Sequence, residues 1–173
     1  MNMEDVKAAI RDIRDFPKPG ILFKDITPVL LDPALFRATV EWYAERCTAA
    51  GAAKIAAIDA RGFFFAGAVC DRLGLGLVPV RKKGKLPYET FEETYELEYG
   101  TATLSIHKDA FTPGERVVII DDLLATGGTA AATAKLVAAA GGTVAEIAFL
   151  IELAFLHGRE KLAGYEVAAP IVF

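Results

Sequence analysis

The sequence predicts an α/β fold built on an open, mainly parallel twisted sheet that is flanked by helices. Strand-like and helix-like patterns alternate along most of the 173 residues. One strand, VVII at 117–120, is continuously apolar, which is typical of a strand covered on both faces of a parallel sheet. Such alternation implies that crossover helices connect parallel strands and that ligands bind outside the strands' carboxyl ends.

The N-terminal part of the chain begins with a helical pattern. An apolar residue recurs every three or four positions, which predicts a short amphipathic helix over residues 4–16. Four prolines and a glycine then interrupt the periodicity and predict an ordered loop over residues 16–33. Asp32 followed by Pro33 is a helix-start signal, and Gly51 ends the pattern that follows.

The central part contains a strand, a turn, a helix and a second strand. KIAAI at 54–58 predicts a strand, DARG at 59–62 a turn, and the apolar run to residue 74 the returning helix. GLVPVRK at 76–82 predicts the next strand. Two segments that alternate with period two around Gly100 then predict an antiparallel hairpin.

The C-terminal part repeats the alternation. After residue 129 the chain reads as a helix with a glycine stop, then as a strand over residues 143–153. A short helix at HGREKL and a last strand at EVAAPIVF follow. We therefore predict one domain over residues 1–173.

Composition limits the possible functions. With 53% hydrophobic and 24% charged residues, the chain is typical of a globular protein that buries a core. A net charge of −4 argues against general nucleic-acid binding, which depends on neutralising many phosphates. The longest apolar segment is interrupted by Glu146 and Glu152 and is shorter than the roughly 20 residues of a membrane helix. Because the first residues lack a signal-peptide pattern, we expect a cytoplasmic protein without a membrane partner.

The stretch VVIIDDLLATGGTA at 117–130 places two acids between an apolar strand and a small glycine-bearing loop. Backbone N–H groups of such a loop, with the positive end of the next helix, bind anions. The sequence has neither the lysine of the loop GxxxxGK[ST] nor the dinucleotide pattern GxGxxG. Asp121 and Asp122 can accept hydrogen bonds from neutral hydroxyls. The stretch therefore predicts a site for a sugar with one terminal phosphate.

Two further features have a simple structural interpretation when they are taken alone. The basic run RKKGK at 81–85 is typical of a solvated, lysine-rich turn. Glu98 in the hairpin is typical of a solvated acid on a strand.

The stretch VVIIDDLLATGGTA at 117–130 resembles the phosphoribosyl pyrophosphate signature of the type I phosphoribosyltransferases. Its DDLLATGGT form is similar to the adenine phosphoribosyltransferases in particular. The similarity extends over FPKPGILFKDITPVL, DARGFFFAG, VRKKGKLPYET, YELEYG and GREKLAGYEV, which is nearly the whole chain. It implies the type I phosphoribosyltransferase fold, with a small N-terminal hood that binds the base over residues 1–32. A flexible loop and hairpin lid are implied over residues 81–108.

The resemblance also implies a reaction. The 5-phosphoribosyl group passes from phosphoribosyl pyrophosphate to adenine, giving AMP and pyrophosphate in purine salvage. Mg²⁺ is expected to bind through the substrate rather than in a dedicated protein site, and two subunits are expected to form a homodimer.

The same resemblance implies the site residues. Asp121 and Asp122 are expected to bind the ribose hydroxyls and Glu98 to act on the purine N7 proton, which makes these three the expected catalytic residues. Tyr99 is expected in the lid, and main-chain groups of Leu22 and Lys24 are expected to contact adenine. The residues expected around the 5′-phosphate are Ala125, Thr126, Gly127, Gly128 and Thr129.

Pyrophosphate is expected to bind a set of cationic side chains. The run RKKGK is expected to reach over from the neighbouring subunit, which changes the interpretation of this run from solvated to functional. The set comprises Arg61, Arg81, Lys82 and Lys85.

Two other functions stay open. A phosphoribosyltransferase for another base would resemble this chain chiefly at the DD and TGGT residues. A regulatory protein that senses phosphoribosyl pyrophosphate usually adds a DNA-binding region, for which 173 residues leave little room.

Overall fold

A computed structural model describes residues 1–97 and 100–173 of the protein. The chain divides into two compact units, Met1–Trp42 and Tyr43–Phe173. Among the described residues, the helices are too short or too polar to cross a membrane. The predicted boundaries of hood and lid within a single domain stay a prediction.

The first unit begins with helix α1 (Met3–Ala9), which is shorter than predicted. A capping box starts it, because the Asn2 side chain accepts from the Asp5 N–H at 3.0 Å while the Asp5 carboxylate accepts from the Asn2 N–H at 2.8 Å. The predicted helix over residues 4–16 is wrong beyond Ala9. The chain becomes extended there and forms strand β1 (Arg11–Arg14), whose backbone groups are satisfied by an antiparallel neighbour.

That neighbour, strand β2 (Leu22–Asp25), lies within the segment predicted as a loop. Helix α2 (Thr27–Leu31) follows, with a proline in its first turn, where a missing N–H is tolerated. The loop prediction was therefore wrong over these two elements, since its prolines lie at element ends and do not break either one.

Helix α3 (Pro33–Ala49) begins where the sequence predicts. The Asp32 carboxylate accepts hydrogen bonds from the backbone N–H groups of Ala34 at 2.8 Å and Leu35 at 3.2 Å. These bonds satisfy donors that have no partner within the helix. The helix-start signal of Asp32 and Pro33 is confirmed.

The second unit is built around one large sheet, which confirms the predicted fold class. Among the described residues its strand order is β10-β8-β7-β3-β4-β6-β5, with β9 paired to β8. Pairing is parallel from β10 to β4 and antiparallel between β4, β6 and β5. The strands are β3 (Lys54–Ile58), β4 (Gly76–Lys82), β5 (Thr90–Glu96), β6 (Thr101–His107), β7 (Arg116–Leu124), β8 (Thr143–Glu152), β9 (Val167–Ala168) and β10 (Ile171–Val172).

The sheet is flanked by helices α4 (Gly62–Leu73) and α5 (Gly128–Ala139), and 3₁₀ turns lie at Ala154–Leu156 and Gly158–Leu162. Strand β7 lies between β3 and β8, and its residues from Val117 to Ile120 are fully buried. It runs to Leu124, two residues beyond the acid pair.

The predicted antiparallel hairpin is confirmed as β5 and β6. Thr90 lies opposite His107 at its base, and Glu96 lies opposite Thr101 near its tip. Glu98 and Tyr99 lie outside the described residues, so their expected roles stay predictions.

Candidate active site

Two acids lie near the carboxyl end of β7. Asp122 is buried, with only 3% of its surface exposed, and Asp121 is partly buried. The Asp122 backbone N–H donates to Asp121 Oδ1 at 2.9 Å. The Asp121 side chain therefore turns back toward its neighbour, and the two acids form one adjacent pair.

The start of α4 approaches this strand closely at Gly62. A Cβ atom there would lie 2.8 Å from the carbonyl oxygen of Ile120 and 3.3 Å from Asp121 Oδ1. Glycine therefore allows the positive end of α4 to face the acids. From the sequence, Gly62 was predicted only as the last residue of the DARG turn. Its position directly after Arg61 was the one feature that could have indicated a place in the site.

Arg61 and Asp122 form an ion pair across this approach. The Arg61 Nε donates to Asp122 Oδ2 at 2.5 Å, and the Arg61 side chain is 46% exposed. The structure thus brings together an arginine predicted for pyrophosphate and an acid predicted for ribose. A ligand that uses both groups must share or replace this pair.

The surroundings of Asp121 oppose its ionisation. Burial and, next, the neighbouring Asp122 raise the pKa of the Asp121 carboxyl well above its usual value. The Tyr43 hydroxyl donates to the Asp121 carbonyl oxygen at 2.8 Å, and burial also raises the pKa of that tyrosine. Asp121 is therefore held in a region of low polarity at the edge of the core.

The segment Ala125–Thr129, here termed the phosphate loop, comprises the connection from β7 to α5 and the first two residues of that helix. Gly127 has a φ of 81°, in the left-handed region that favours glycine, and α5 begins directly after it. A cavity of about 70 Å³ is lined by all five loop residues together with Asp121. The structure therefore brings one predicted ribose acid and the predicted phosphate residues to the same cavity.

The hairpin contacts the phosphate loop through Tyr95. Its hydroxyl is hydrogen bonded to Thr129 Oγ1 at 2.9 Å. A Cβ atom at Gly128 would lie 3.1 Å from the Tyr95 ring. The period-two pattern that predicts the hairpin is local, so it could not identify the surface that Tyr95 meets.

The predicted basic residues lie in and after β4. The Arg81 Nε donates to Asp59 Oδ2 at 3.0 Å, and its Nη1 donates to the Lys85 carbonyl oxygen at 3.4 Å. Lys82 and Lys85 are exposed. Asp59, at the end of β3, was not predicted as a partner of this run.

The predicted adenine residues lie on β2 in the first unit. The Lys24 Nζ is 2.7 Å from Asp12 Oδ1, and its side chain is 9% exposed. Leu22 is 45% exposed. Their expected main-chain contacts with adenine stay a prediction.

The chain is similar to known proteins along its whole length. A family model described as the phosphoribosyl transferase domain matches residues 30–167. The adenine phosphoribosyltransferase of Thermoanaerobacter pseudethanolicus (strain ATCC 33223 / 39E) is 56% identical over 173 residues, which cover 100% of both chains. The chain belongs to the adenine phosphoribosyltransferase family.

Solved structures of adenine phosphoribosyltransferases share its fold. The crystal structure of the Thermoanaerobacter pseudethanolicus protein matches with a TM-score of 0.95 at 56% identity, covering 99% of each chain. The Saccharomyces cerevisiae adenine phosphoribosyltransferase, complexed with adenine and D-2,5-dideoxy-2,5-imino-altritol 1,6-bisphosphate, matches with a TM-score of 0.92 at 38% identity. That match covers 96% of this chain and 97% of the yeast chain. The predicted family, its fold and its enzyme class, a pentosyltransferase, are confirmed, whereas the role of each residue stays a prediction.

Proposed function

We propose that the protein transfers the 5-phosphoribosyl group of phosphoribosyl pyrophosphate to adenine, with AMP and pyrophosphate as products. The observation that carries this proposal is the cavity that Asp121 shares with the phosphate loop. Ribose 5-phosphate presents hydroxyls and a phosphate on one small framework, which matches the Asp121 carboxylate beside a loop of backbone N–H groups.

This arrangement supports catalysis by positioning. With the sugar hydroxyls on Asp121 and Asp122 and the phosphate in the loop, both ends of the sugar are fixed and C1′ is left as the reacting atom. The bond from C1′ to a pyrophosphate oxygen breaks while the bond from C1′ to adenine N9 forms, and the proton that adenine carries on N7 passes to Glu98. Positioning of this kind can contribute roughly 7 to 11 kcal/mol to lowering a barrier.

Negative charge on the leaving pyrophosphate needs cationic partners. Arg61 lies beside Asp122. The basic run with Arg81, Lys82 and Lys85 lies at the end of β4 and just after it, and β3 separates β4 from β7 in the sheet. Arginine side chains suit this role because their planar fork donates to two phosphate oxygens at once. We assign pyrophosphate binding to these four residues, with the basic run supplied by the second subunit of a homodimer.

Mg²⁺ is proposed as the metal of the reaction. Asp121 and Asp122 offer the hard oxygen donors that Mg²⁺ prefers, and this ion usually keeps several waters and substrate oxygens in its shell. Bound through the substrate next to these acids, Mg²⁺ would supply charge neutralisation for pyrophosphate.

Adenine is proposed as the base, and salvage of purines in the cytoplasm as the setting. The full-length similarity to adenine phosphoribosyltransferases, one of them solved with adenine, favours adenine over another base. Main-chain groups of Leu22 and Lys24 are assigned to the base, since the Lys24 ammonium is already paired with Asp12. Glu98 and Tyr99 are assigned to the chemistry and to the lid on the strength of the sequence alone.

A product assay tests this function. Purified protein is incubated with phosphoribosyl pyrophosphate and Mg²⁺ and with adenine, hypoxanthine, guanine or orotate in turn, and nucleotides are separated by chromatography. We expect AMP from adenine and no nucleotide from the other three bases. The Asp122→Asn variant, purified identically, controls for contaminating activity. The proposal is contradicted if no AMP forms, or if another base gives more nucleotide than adenine does.

A further inference from the structure

The phosphate loop lies directly against the turn Gly158–Leu162, here termed the Gly158 turn. A Cβ atom at Gly127 would collide with the carbonyl oxygen of Gly158, and a Cβ atom at Gly158 would collide with the carbonyl oxygen of Ala125. Gly158 is itself buried. The two backbones are therefore packed against each other with no space for a side chain between them.

An ion pair ties this turn to the sheet beside the loop. The Arg159 Nε lies 2.9 Å from both carboxylate oxygens of Glu152, and its Nη2 lies 2.7 Å from Oε2. The same guanidinium donates through Nη1 to the Val167 carbonyl oxygen at 2.9 Å. Only 8% of Glu152 is exposed.

Glu152 lies at the point where the loop begins. In the ladder of β7 and β8 it is opposite Leu124, the residue before the loop. The Leu153 N–H donates to the Leu124 carbonyl oxygen at 3.0 Å. The Glu152–Arg159 pair thus connects the last residues of two neighbouring strands to the turn that supports the loop.

We propose that the Gly158 turn, anchored by the Glu152–Arg159 ion pair, is a positioning element that fixes the phosphate loop and sets its affinity for the 5′-phosphate. This inference rests on the proposed function, because it assumes that the loop binds that phosphate. None of these three residues touches the substrate in this account, and they act through the loop backbone.

The physical reason is the composition of the loop. Small residues and two glycines let the backbone N–H groups approach a phosphate, but they leave the loop many conformations when it is unsupported. A rigid backing removes that freedom before the ligand arrives, so less binding free energy is lost on ordering the loop.

The chain offers a matched control on the same strand. Glu146 is also buried, at 3% exposed, and it accepts two hydrogen bonds from Arg46, at 2.7 Å and 2.6 Å. Glu146 is opposite Val118, toward the other end of the β7–β8 ladder. Glutamine at either position removes the same charge from the same kind of pair, but only one of the two pairs borders the loop.

The experiment compares AMP and adenosine, which differ by the 5′-phosphate, as ligands in calorimetric titrations. We expect Glu152→Gln to weaken AMP binding about tenfold while adenosine binding stays within about twofold. Glu146→Gln lowers thermal stability and leaves both affinities as in the wild type. In steady-state kinetics Glu152→Gln raises the KM for phosphoribosyl pyrophosphate and leaves the KM for adenine unchanged. Gly158→Ala, which presses a methyl group on Ala125, gives the same selective loss.

The possible results distinguish failure of this inference from failure of the proposed function. Equal weakening of AMP and adenosine by Glu152→Gln, or AMP affinities in the Glu152 and Glu146 variants that match each other, overturns the inference. If Glu152→Gln does not fold, Arg159→Lys keeps the charge and loses the fork, and it must show the same AMP-selective loss. A wild-type protein that forms no AMP contradicts the proposed function itself, whatever the variants do.

Discussion

Asp121 combines two demands that oppose each other. In the proposed function its carboxylate accepts hydrogen bonds from a sugar, and yet burial and the adjacent Asp122 raise its pKa and disfavour the charged form. Because the pKa is higher in the folded protein than in the unfolded chain, folding takes up a proton between the two values. The stability contributed by this group is complete below its unfolded pKa of about 3.9 and falls as the pH rises through the folded pKa.

Replacement of Asp121 should therefore separate stability from binding. We expect Asp121→Asn to raise the stability at pH 7 by about 1 kcal/mol, because an opposed charge is removed while Oδ1 can still accept from the Asp122 N–H. The gain should vanish near pH 4, where the wild-type carboxyl is protonated. Affinity for AMP should fall about tenfold. Thermal unfolding at both pH values and AMP titration check this, and a variant less stable than wild type at pH 7 contradicts it.

Arg61 has a structural task in addition to its predicted one. Its guanidinium neutralises Asp122, which is almost completely buried. We expect Arg61→Ala to lower the free energy of unfolding by about 2 kcal/mol, less than for a fully buried pair because the Arg61 side chain is 46% exposed. The KM for phosphoribosyl pyrophosphate should rise as well. Urea unfolding and initial rates measure the two effects, and a loss of stability without any change in KM would remove Arg61 from the pyrophosphate site.

At the scale of elements, two glycines near helices have opposite meanings. Gly127 precedes α5 with a φ of 81° and packs against Gly158, whereas Gly67 lies inside α4 with open space around the position of a Cβ atom. The first glycine is required by conformation and contact. The second only lowers helix propensity.

Alanine substitutions at these glycines should change stability in opposite directions. Gly67→Ala should stabilise the protein by about 0.5 to 1 kcal/mol and leave activity unchanged. Gly127→Ala should destabilise it by more than about 1 kcal/mol and weaken AMP binding, because the new methyl group meets the Gly158 carbonyl. Thermal unfolding with AMP titration tests both. Equal effects of the two substitutions would show that the phosphate loop tolerates a side chain.

The elements also show what a sequence can and cannot predict here. The helix after Asp32 and the apolar strand before Asp121 were predictable because their signals are local. Strand β1 was taken for helix because Ile10 and Ile13 also fit a helical spacing, and its true partner, β2, lies about ten residues further along the chain.

In the candidate site, too, features that depend on neighbouring residues could be predicted and contacts between separated segments could not. The acid pair and the phosphate loop are contiguous, so their juxtaposition could be predicted from VVIIDDLLATGGTA. The contacts of Arg61 with Asp122, Tyr95 with Thr129, and Gly158 with the loop join residues about 30 to 60 positions apart. Such contacts depend on how the sheet is assembled, which local patterns do not encode.

At the scale of the whole molecule, the proposed homodimer requires Arg81 of each chain to reach the site of the other chain. Within one chain this arginine pairs with Asp59 at 3.0 Å, whereas the proposal gives it to the pyrophosphate site of the second subunit. A shared site therefore takes Asp122 from one chain and Arg81 from the other.

Mixed dimers test whether the site is shared between the two chains. Arg81→Ala and Asp122→Asn are each expected to be nearly inactive, and mixing them after subunit exchange should restore part of the activity, since one site in each mixed dimer is intact. Sedimentation of the wild type at assay concentration provides the control for assembly. An active monomer, or no recovery on mixing when exchange is verified, contradicts a shared site.

The central claim is that Asp121, Asp122 and the phosphate loop together hold ribose 5-phosphate. A crystal structure of the protein with AMP measures this directly. We expect the phosphate oxygens within hydrogen-bond distance of backbone N–H groups of residues 126–129, the ribose hydroxyls against the two carboxylates, and the Asp122 carboxylate shared between Arg61 and the sugar. A phosphate bound elsewhere, or a ribose that leaves both carboxylates without a contact, would contradict the account.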